Sequence, residues 1–389
     1  AASYDNTVGR KAYFNSQFIT SDNATGRDGA EGSNYIGNSL RGPMFEFLMY
    51  QAALSDSARN LLEQTHSAKW GVELAPPGTG ADEATKAMAS DGYSVFASEY
   101  LEKLSQTVDI ALQATNDITL DLQGDTLTLA NDQNISLTSA AGNIVTLSDG
   151  IIVTNRTGVG GNISFSAAGD INIDHNLSLN AQNGGAISLT AAGDVAIGAT
   201  GILNLNDADT TIRASGLSNA GTLTANGAAG FTFEQYTPSN TIGVGTTFGP
   251  SDIGLVSAII STIQSNFGSY IFGRSNGGRI INLVSIWDNP VTFLSGHSFQ
   301  NSTIISSADD FTVSVTSSPE IDVITTAGSI TSSGTLTLNA NNISSNANIL
   351  HGSYLEFVGA EVNINTNTFS SNFTAKTDNL NFNATLPQG

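Results

Sequence analysis

Asn162-Ile163-Ser164-Phe165-Ser166-Ala167-Ala168-Gly169-Asp170-Ile171-Asn172-Ile173 and Ala186-Ile187-Ser188-Leu189-Thr190-Ala191-Ala192-Gly193-Asp194-Val195-Ala196-Ile197 are two copies of one unit, offset by 24 residues. Apolar and polar residues alternate on both sides of Ala-Ala-Gly-Asp, the period-two pattern of a strand with one buried face. At the hinge, Gly is free to take a positive φ and Asp to hydrogen-bond the turn. An earlier copy runs from Asn134 through Ser139-Ala140-Ala141-Gly142-Asn143 to Leu147, and a fainter one lies at Thr326-Ala327-Gly328-Ser329-Ile330. The repeat hinge is therefore assigned to Gly142, Gly169, Asp170, Gly193 and Asp194.

One such unit buries almost nothing alone. Stacked on like units, within one protomer or between protomers, it builds a continuous core, so repetition at this period reads as a solenoid or fibre. Alternation begins upstream at Asp117-Ile118-Thr119-Leu120 and continues through Thr126-Leu127-Thr128-Leu129, so residues 116–230 are read as a repeat β-shaft.

Before the shaft the period is helical. Ala97, Leu101, Leu104, Val108 and Ala111 recur at three and four residues, a seam that suits helix association around a symmetry axis or packing on the protein's own core. With Met44, Phe47, Leu48 and Leu54, and a second turn carrying Ala58, Leu61 and Leu62, residues 41–115 are assigned as a helical attachment and trimerisation region. Residues 1–40 are polar and aperiodic and are read as an extended arm that lies against a neighbouring subunit or partner.

Beyond the shaft the repeat lapses. Ile253, Leu255, Val256, Ile259, Ile260 and Ile263 predict a helix over 251–266, capped by Ser251 or Asp252. The apolar runs at Arg279–Val284, Val291–Phe293, Ser302–Ile305 and Phe311–Val315 are separated by Asp-Asn-Pro and Asp-Asp turns and predict a small antiparallel sandwich, jelly-roll-like, over 231–325. Repeat-like strands resume over 326–389. The fold class expected is mainly β: an N-terminal helical segment, a β-helix or β-stack shaft, and an inserted antiparallel sandwich.

Composition narrows the function. Thirty-four acidic against 13 basic residues give a net charge of −21, and past Ser105 the cations are only Arg156, Arg213, Arg274, Arg279 and Lys376. Phosphate backbones are bound by Lys and Arg that displace counterions, so nucleic acid is not an expected partner. A divalent cation is the one ion that such a surface invites; no organic cofactor is implied. There are no cysteines, hence no disulfide or thiolate chemistry. No apolar run reaches 18 residues, so insertion through a membrane helix is not expected. Ala1 fits either removal of an initiator Met or cleavage of a signal peptide.

Chemistry-bearing groups are sparse. Asp207 with Asp209, Asp309 with Asp310, and Glu320 with Asp322 are paired carboxylates of the kind glycosidases use, but all sit at turns or strand ends where Asp is common anyway. His66, His175, His297 and His351 are too scattered for ligand spacing, though a trimer axis would gather three copies of His175. Gly158-Val159-Gly160-Gly161 lacks the Lys and the following helix of a phosphate loop. Tyr270, Phe272, Trp287, Phe293 and Phe299 cluster in the 231–325 segment: exposed, they would stack on sugar rings and form a glycan or receptor site; buried, they would be a sandwich core. No catalytic residue and no metal ligand is assigned.

The Ser/Thr-Ala-Ala-Gly-Asp-Ile/Val units resemble the shafts of bacteriophage fibres and tailspikes and the strand repeats of filamentous-haemagglutinin-like adhesins. The run from Gly278-Arg279-Ile280-Ile281 through Pro290-Val291-Thr292-Phe293 to Asp309-Asp310-Phe311-Thr312 is similar to a pattern near the ends of phage fibre proteins. The phage resemblance implies a non-enzymatic homotrimer on a virion, held to other virion or surface proteins through the arm and attaching to a host-surface glycan or protein. The adhesin resemblance implies a secreted or cell-surface filament subunit, and the tailspike resemblance a polysaccharide depolymerase.

Overall fold

The computed structural model describes residues 2–5, 9–14, 17–22, 96–246, 252–316, 323–346, 350–351, 354–364 and 373–382. The protein divides into two units, Ala1–Leu104 and Ser105–Gly389. In the first, Ala2–Asp5, Gly9–Phe14 and Gln17–Asp22 form an antiparallel sheet, so the expected extended arm contains a paired β-meander. The helices expected between 41 and 95 lie outside the described residues. Ser98–Leu104 is helical and buries Leu101, but the seam stops there: Ile110–Ala114 is a strand, so Ala111 belongs to the β-unit.

Among the described residues of the second unit, every strand pairing is parallel. A 12-stranded sheet, the long face, takes one strand from each turn of the coil, from Ile110–Ala114 to Phe373–Lys376. The segments between those strands supply two further parallel faces. Over the first half these are five-stranded, with Ile171–Ile173 on one and Asn176–Gln182 on the other. Up to three strands per turn, each stacked in register on its counterpart in the next turn, make a parallel coil of the β-helix type.

The register explains why the alternating sequence chooses this arrangement. Leu137, Phe165, Leu189, Ile212 and Phe233 are consecutive partners on the long face and point inward, at 0–1% exposure. Ile144, Ile171, Val195 and Leu217 form the equivalent column on the second face. Leu127, Ile152 and Leu179 form it on the third. Full burial of one such residue contributes about 1.5–3 kcal/mol, a gain available only when the next turn covers it.

Residues 231–325 depart from the expected antiparallel sandwich. Their strands are further turns of the same coil: Phe233 faces Phe272, Phe272 faces Phe293, and Phe293 faces Val313, all in parallel. The spacing of turns concealed this. Ile163 faces Ile187, 24 residues on, whereas Phe231 faces Tyr270, 39 on, and Leu355 faces Phe373, 18 on.

The long turn holds two additions. Ile242–Val244 and Ile253–Leu255 lie side by side in parallel. The helix Ser257–Asn266 then takes the place of a third-face strand: the Asn266 carbonyl accepts the Gly227 N–H at 2.8 Å, and Gln264 Nε2 donates to the Ile286 carbonyl at 2.7 Å. This helix buries Ile259, Ile260 and Ile263 and turns Ser261 and Ser265 outward. It is shorter than the helix expected over 251–266. Ile253–Leu255 is a strand, the N-cap is Val256 with no side-chain bond, and Asp252 instead accepts the Thr241 N–H at 3.1 Å.

Candidate functional site

The five aromatics that sequence reasoning offers as a sugar-stacking surface are inside the coil. Tyr270 and Phe299 are 1% exposed and Phe272, Trp287 and Phe293 are 0%. Phe293 is the hub, with ring centroids of Phe272, Trp287, Phe299 and Phe311 at 5.7, 5.7, 5.1 and 5.6 Å. The Tyr270 hydroxyl donates to the Gln264 carbonyl at 3.0 Å and accepts from Asn289 Nδ2 at 2.9 Å. Burial pushes its pKa up, partly offset by the Asn289 bond. These rings are a core, so a bound glycan would have to meet other side chains. Inward orientation follows from strand parity: Tyr270 and Phe272 are alternate residues, as are Val291 and Phe293.

The hinge residues have a different role from the one expected. Gly142, Gly169 and Gly193 do not have positive φ. Each is small because a side chain from the preceding turn lies against it: a Cβ would meet Asp117 Oδ1 at 2.3 Å on Gly142, Asn143 Oδ1 at 2.2 Å on Gly169 and Asp170 Oδ1 at 2.0 Å on Gly193. That oxygen accepts the N–H of the residue after the glycine. Asp117 takes Asn143 N at 2.7 Å, Asn143 takes Asp170 N at 2.7 Å, and Asp170 takes Asp194 N at 2.8 Å. The Gly-Asp pair is thus an inter-turn clamp, satisfying a corner N–H that no strand ladder reaches.

A second such column opens the long face. Asp109 accepts from Asn134 N at 2.8 Å, Asn134 from Asn162 N at 3.0 Å, and Asn162 from Ala186 N at 2.9 Å. Asp209 repeats the contact with Gly230 N and Asp310 with Thr335 N, both at 2.7 Å. Sequence reasoning missed these columns, although the recurring Asn or Asp before each alternating run was a legible signal.

The corner columns also give two of the acidic pairs their roles. Asp209 and Asp310 clamp backbone N–H groups, and Asp309 accepts the Asp310 N–H. Glu320 and Asp322 lie outside the described residues. His175 is half-exposed with Nδ1 4.0 Å from Asp149, His297 Nδ1 lies 3.2 Å from Ser298 Oγ, and the side chains of His66 and His351 are not described. Among the described residues no cluster of three or more His, Asp or Glu side chains is placed to hold a metal ion, and no helix is long and apolar enough to cross a membrane.

Acids stand mainly at corners, while the outward rows of the long face carry little charge. Ser136, Ser164, Ser188, Thr211 and Thr232 are consecutive partners in one row. Charges on this face are paired: Arg213 Nε donates to Glu234 at 2.7 Å beside that row, and Lys376 Nζ to Glu356 at 3.1 Å at the far end of the sheet. Two corner carboxylates are shifted in opposite senses. Hydrogen bonds from the Thr157 hydroxyl and from the Gly158 and Thr157 N–H groups hold Asp132 below the usual carboxylate range, whereas burial and then the Asp170 charge push Asp194 up. An open polar recess on the third face is lined by Asn180, Gln182, Asn183, Asn206 and Asp207.

The described residues as a whole offer stacked turns, clamped corners and outward rows with little net charge. In comparison with known proteins, no family model, curated protein or solved structure matches this sequence.

Proposed function

We propose that this protein is a structural fibre or spike protein of a virus particle, working as a homotrimer that attaches the particle to a host-surface glycan or protein. The observation that carries this reading is the unbroken 12-stranded parallel sheet. Bending such a coil strains register-matched ladders on all three faces together, so it transmits force as a stiff shaft. Fully buried inward columns and clamped corners leave little for a protease to open. The first 104 residues supply attachment and trimerisation, and the receptor meets outward hydroxyl and amide rows of the coil. The role is mechanical and adhesive, without a chemical step.

A second reading, a secreted adhesin or matrix filament, is favoured by one feature: the core of the coil is closed within a single protomer, so stacking needs no partner subunits. Solution mass by light scattering separates the two. Three times the 40.2 kDa protomer mass supports the trimeric fibre. A monomer discards it, and long polymers favour the filament.

A further inference from the structure

The sequence contains three Asn-Gly steps, Asn183-Gly184, Asn226-Gly227 and Asn276-Gly277. Such steps share one intrinsic chemistry. The backbone nitrogen of the glycine attacks the amide carbon of the Asn side group, forming a new C–N bond; the original bond from that carbon to the amide nitrogen breaks, and ammonia leaves carrying the proton from the glycine nitrogen. Water then opens the resulting succinimide at either carbonyl, giving Asp or isoaspartate. The fold separates the three steps by what it does to the attacking nitrogen.

Gly227 N donates to the Asn266 carbonyl at 2.8 Å, and Gly277 N donates to the Arg274 carbonyl at 2.8 Å with Gly277 buried. In both, the N–H of the attacking nitrogen is engaged in a hydrogen bond that the reaction must break. Asn183 and Gly184 instead form the tip of an exposed turn closed by Gly185 N to the Gln182 carbonyl at 3.2 Å, and the Gly184 N–H makes no hydrogen bond. Both tip residues have positive φ, 56° and 82°, and nothing lies within 4 Å of a Cβ placed on Gly184.

We propose that Asn183 is a site of spontaneous deamidation, the one Asn-Gly step that this fold leaves reactive. The change is not silent. Asn183 Nδ2 donates to Asn155 Oδ1 at 2.6 Å, and Asn155 Nδ2 donates in turn to Asn131 Oδ1 at 2.7 Å, a column of amides across three turns. Deamidation replaces the terminal donor by a carboxylate that faces an acceptor oxygen, in the recess that already holds Asp207. Each event adds one negative charge and unfastens that column at its end.

The test is a time course of the folded protein at mildly alkaline pH, digested and read by mass spectrometry at all three steps, beside the same protein unfolded in urea. In urea the three steps react at comparable rates. In the folded protein Asn183 is expected to react at least about fivefold faster than Asn226 and Asn276, the factor that one ordinary hydrogen bond on the nucleophile implies. Equal rates at the three steps of the folded protein, or a lead by Asn226 or Asn276, would overturn the proposal. As a second arm, Asn183→Gln should abolish the acidic form that accumulates on isoelectric focusing; its undiminished appearance in that variant would also defeat the idea.

Discussion

The turns before Ala225 and those after Phe267 share one pairing scheme but fill it differently. Early turns stack mainly aliphatic columns, Phe165 excepted, with small residues where strands approach a corner: Ser139, Ala167 and Ala191 are in register, and Asn and Asp clamps hold the corners outside. Later turns fill the interior with rings and align buried polar groups in one register column. Asn282, Asn301, Thr326 and Ser345 are register partners at 0% exposure, joined by Asn282 Nδ2 to Asn301 Oδ1 at 3.4 Å and Thr326 Oγ1 to Ser345 Oγ at 2.7 Å. A parallel coil constrains which residues face inward and how turns align, but leaves the filling of each column free, provided that buried polar groups find partners along it.

If the later turns depend on their rings, the largest effect should come from Phe293→Ala. It removes the hub of four aromatic contacts and is expected to destabilise the coil unit by about 3–5 kcal/mol. Denaturant unfolding followed by Trp287 fluorescence would read it, and a loss no greater than that of an outward-facing substitution such as Ser188→Ala would deny the stack its importance. If the early turns depend on their corners, Gly193→Ala should come next. Its Cβ would fall 2.0 Å from Asp170 Oδ1 and drive that oxygen off the Asp194 N–H. The expected cost is about 1–3 kcal/mol. An unchanged unfolding midpoint would show that the clamp gives way freely.

Between the halves stands Gln235, which faces Ala214 in register yet is 0% exposed with neither amide atom hydrogen-bonded. Here the comparison predicts a gain. Gln235→Met keeps the length and removes the unpartnered amide, and should raise stability by about 1 kcal/mol. A loss on thermal or denaturant unfolding would mean that the amide has a partner in solution.

The smallest effects concern pH, and the two shifted corner acids should differ in sign. Asp132, whose pKa is lowered, contributes stability above the ordinary Asp pKa that is lost as pH falls through its folded value, so Asp132→Asn should be weaker than the parent at neutral pH and converge on it in acid. Asp194, whose pKa is raised, favours the fold when protonated, and that contribution is lost as pH rises through the window above the ordinary Asp value. Asp194→Asn should therefore be slightly more stable than the parent at neutral pH and indistinguishable below that window. Matching pH profiles for the two variants would contradict this assignment.

Much of the coil was readable because alternation persisted between Asn134 and Ile197 while the turns stayed close in length, 28 residues from Ile135 to Ile163 and 24 from Ile163 to Ile187. At Phe231–Gln235 the alternation persisted but the turn length changed, and strands such as Phe311–Val315 then read equally well as parts of an antiparallel sandwich. Period two says which residues share a face and nothing about the direction of the neighbouring strand. The candidate aromatics failed as a surface for a related reason: burial depends on which turn lies above, and Phe293 has Val313 stacked over it.

By itself the sequence determined the strand faces, the small-residue corners, the acidic charge and the absence of thiol chemistry. Those are local or compositional properties, set by side-chain parity and residue type. Tertiary structure alone decided that every partner in the coil unit is parallel, that a helix stands in for a strand at Ser257–Asn266, and that Gly169 and Gly193 exist to admit an oxygen from the turn before. These follow from contacts between residues some 18 to 39 positions apart, whose alignment is fixed only when successive turns close on one another.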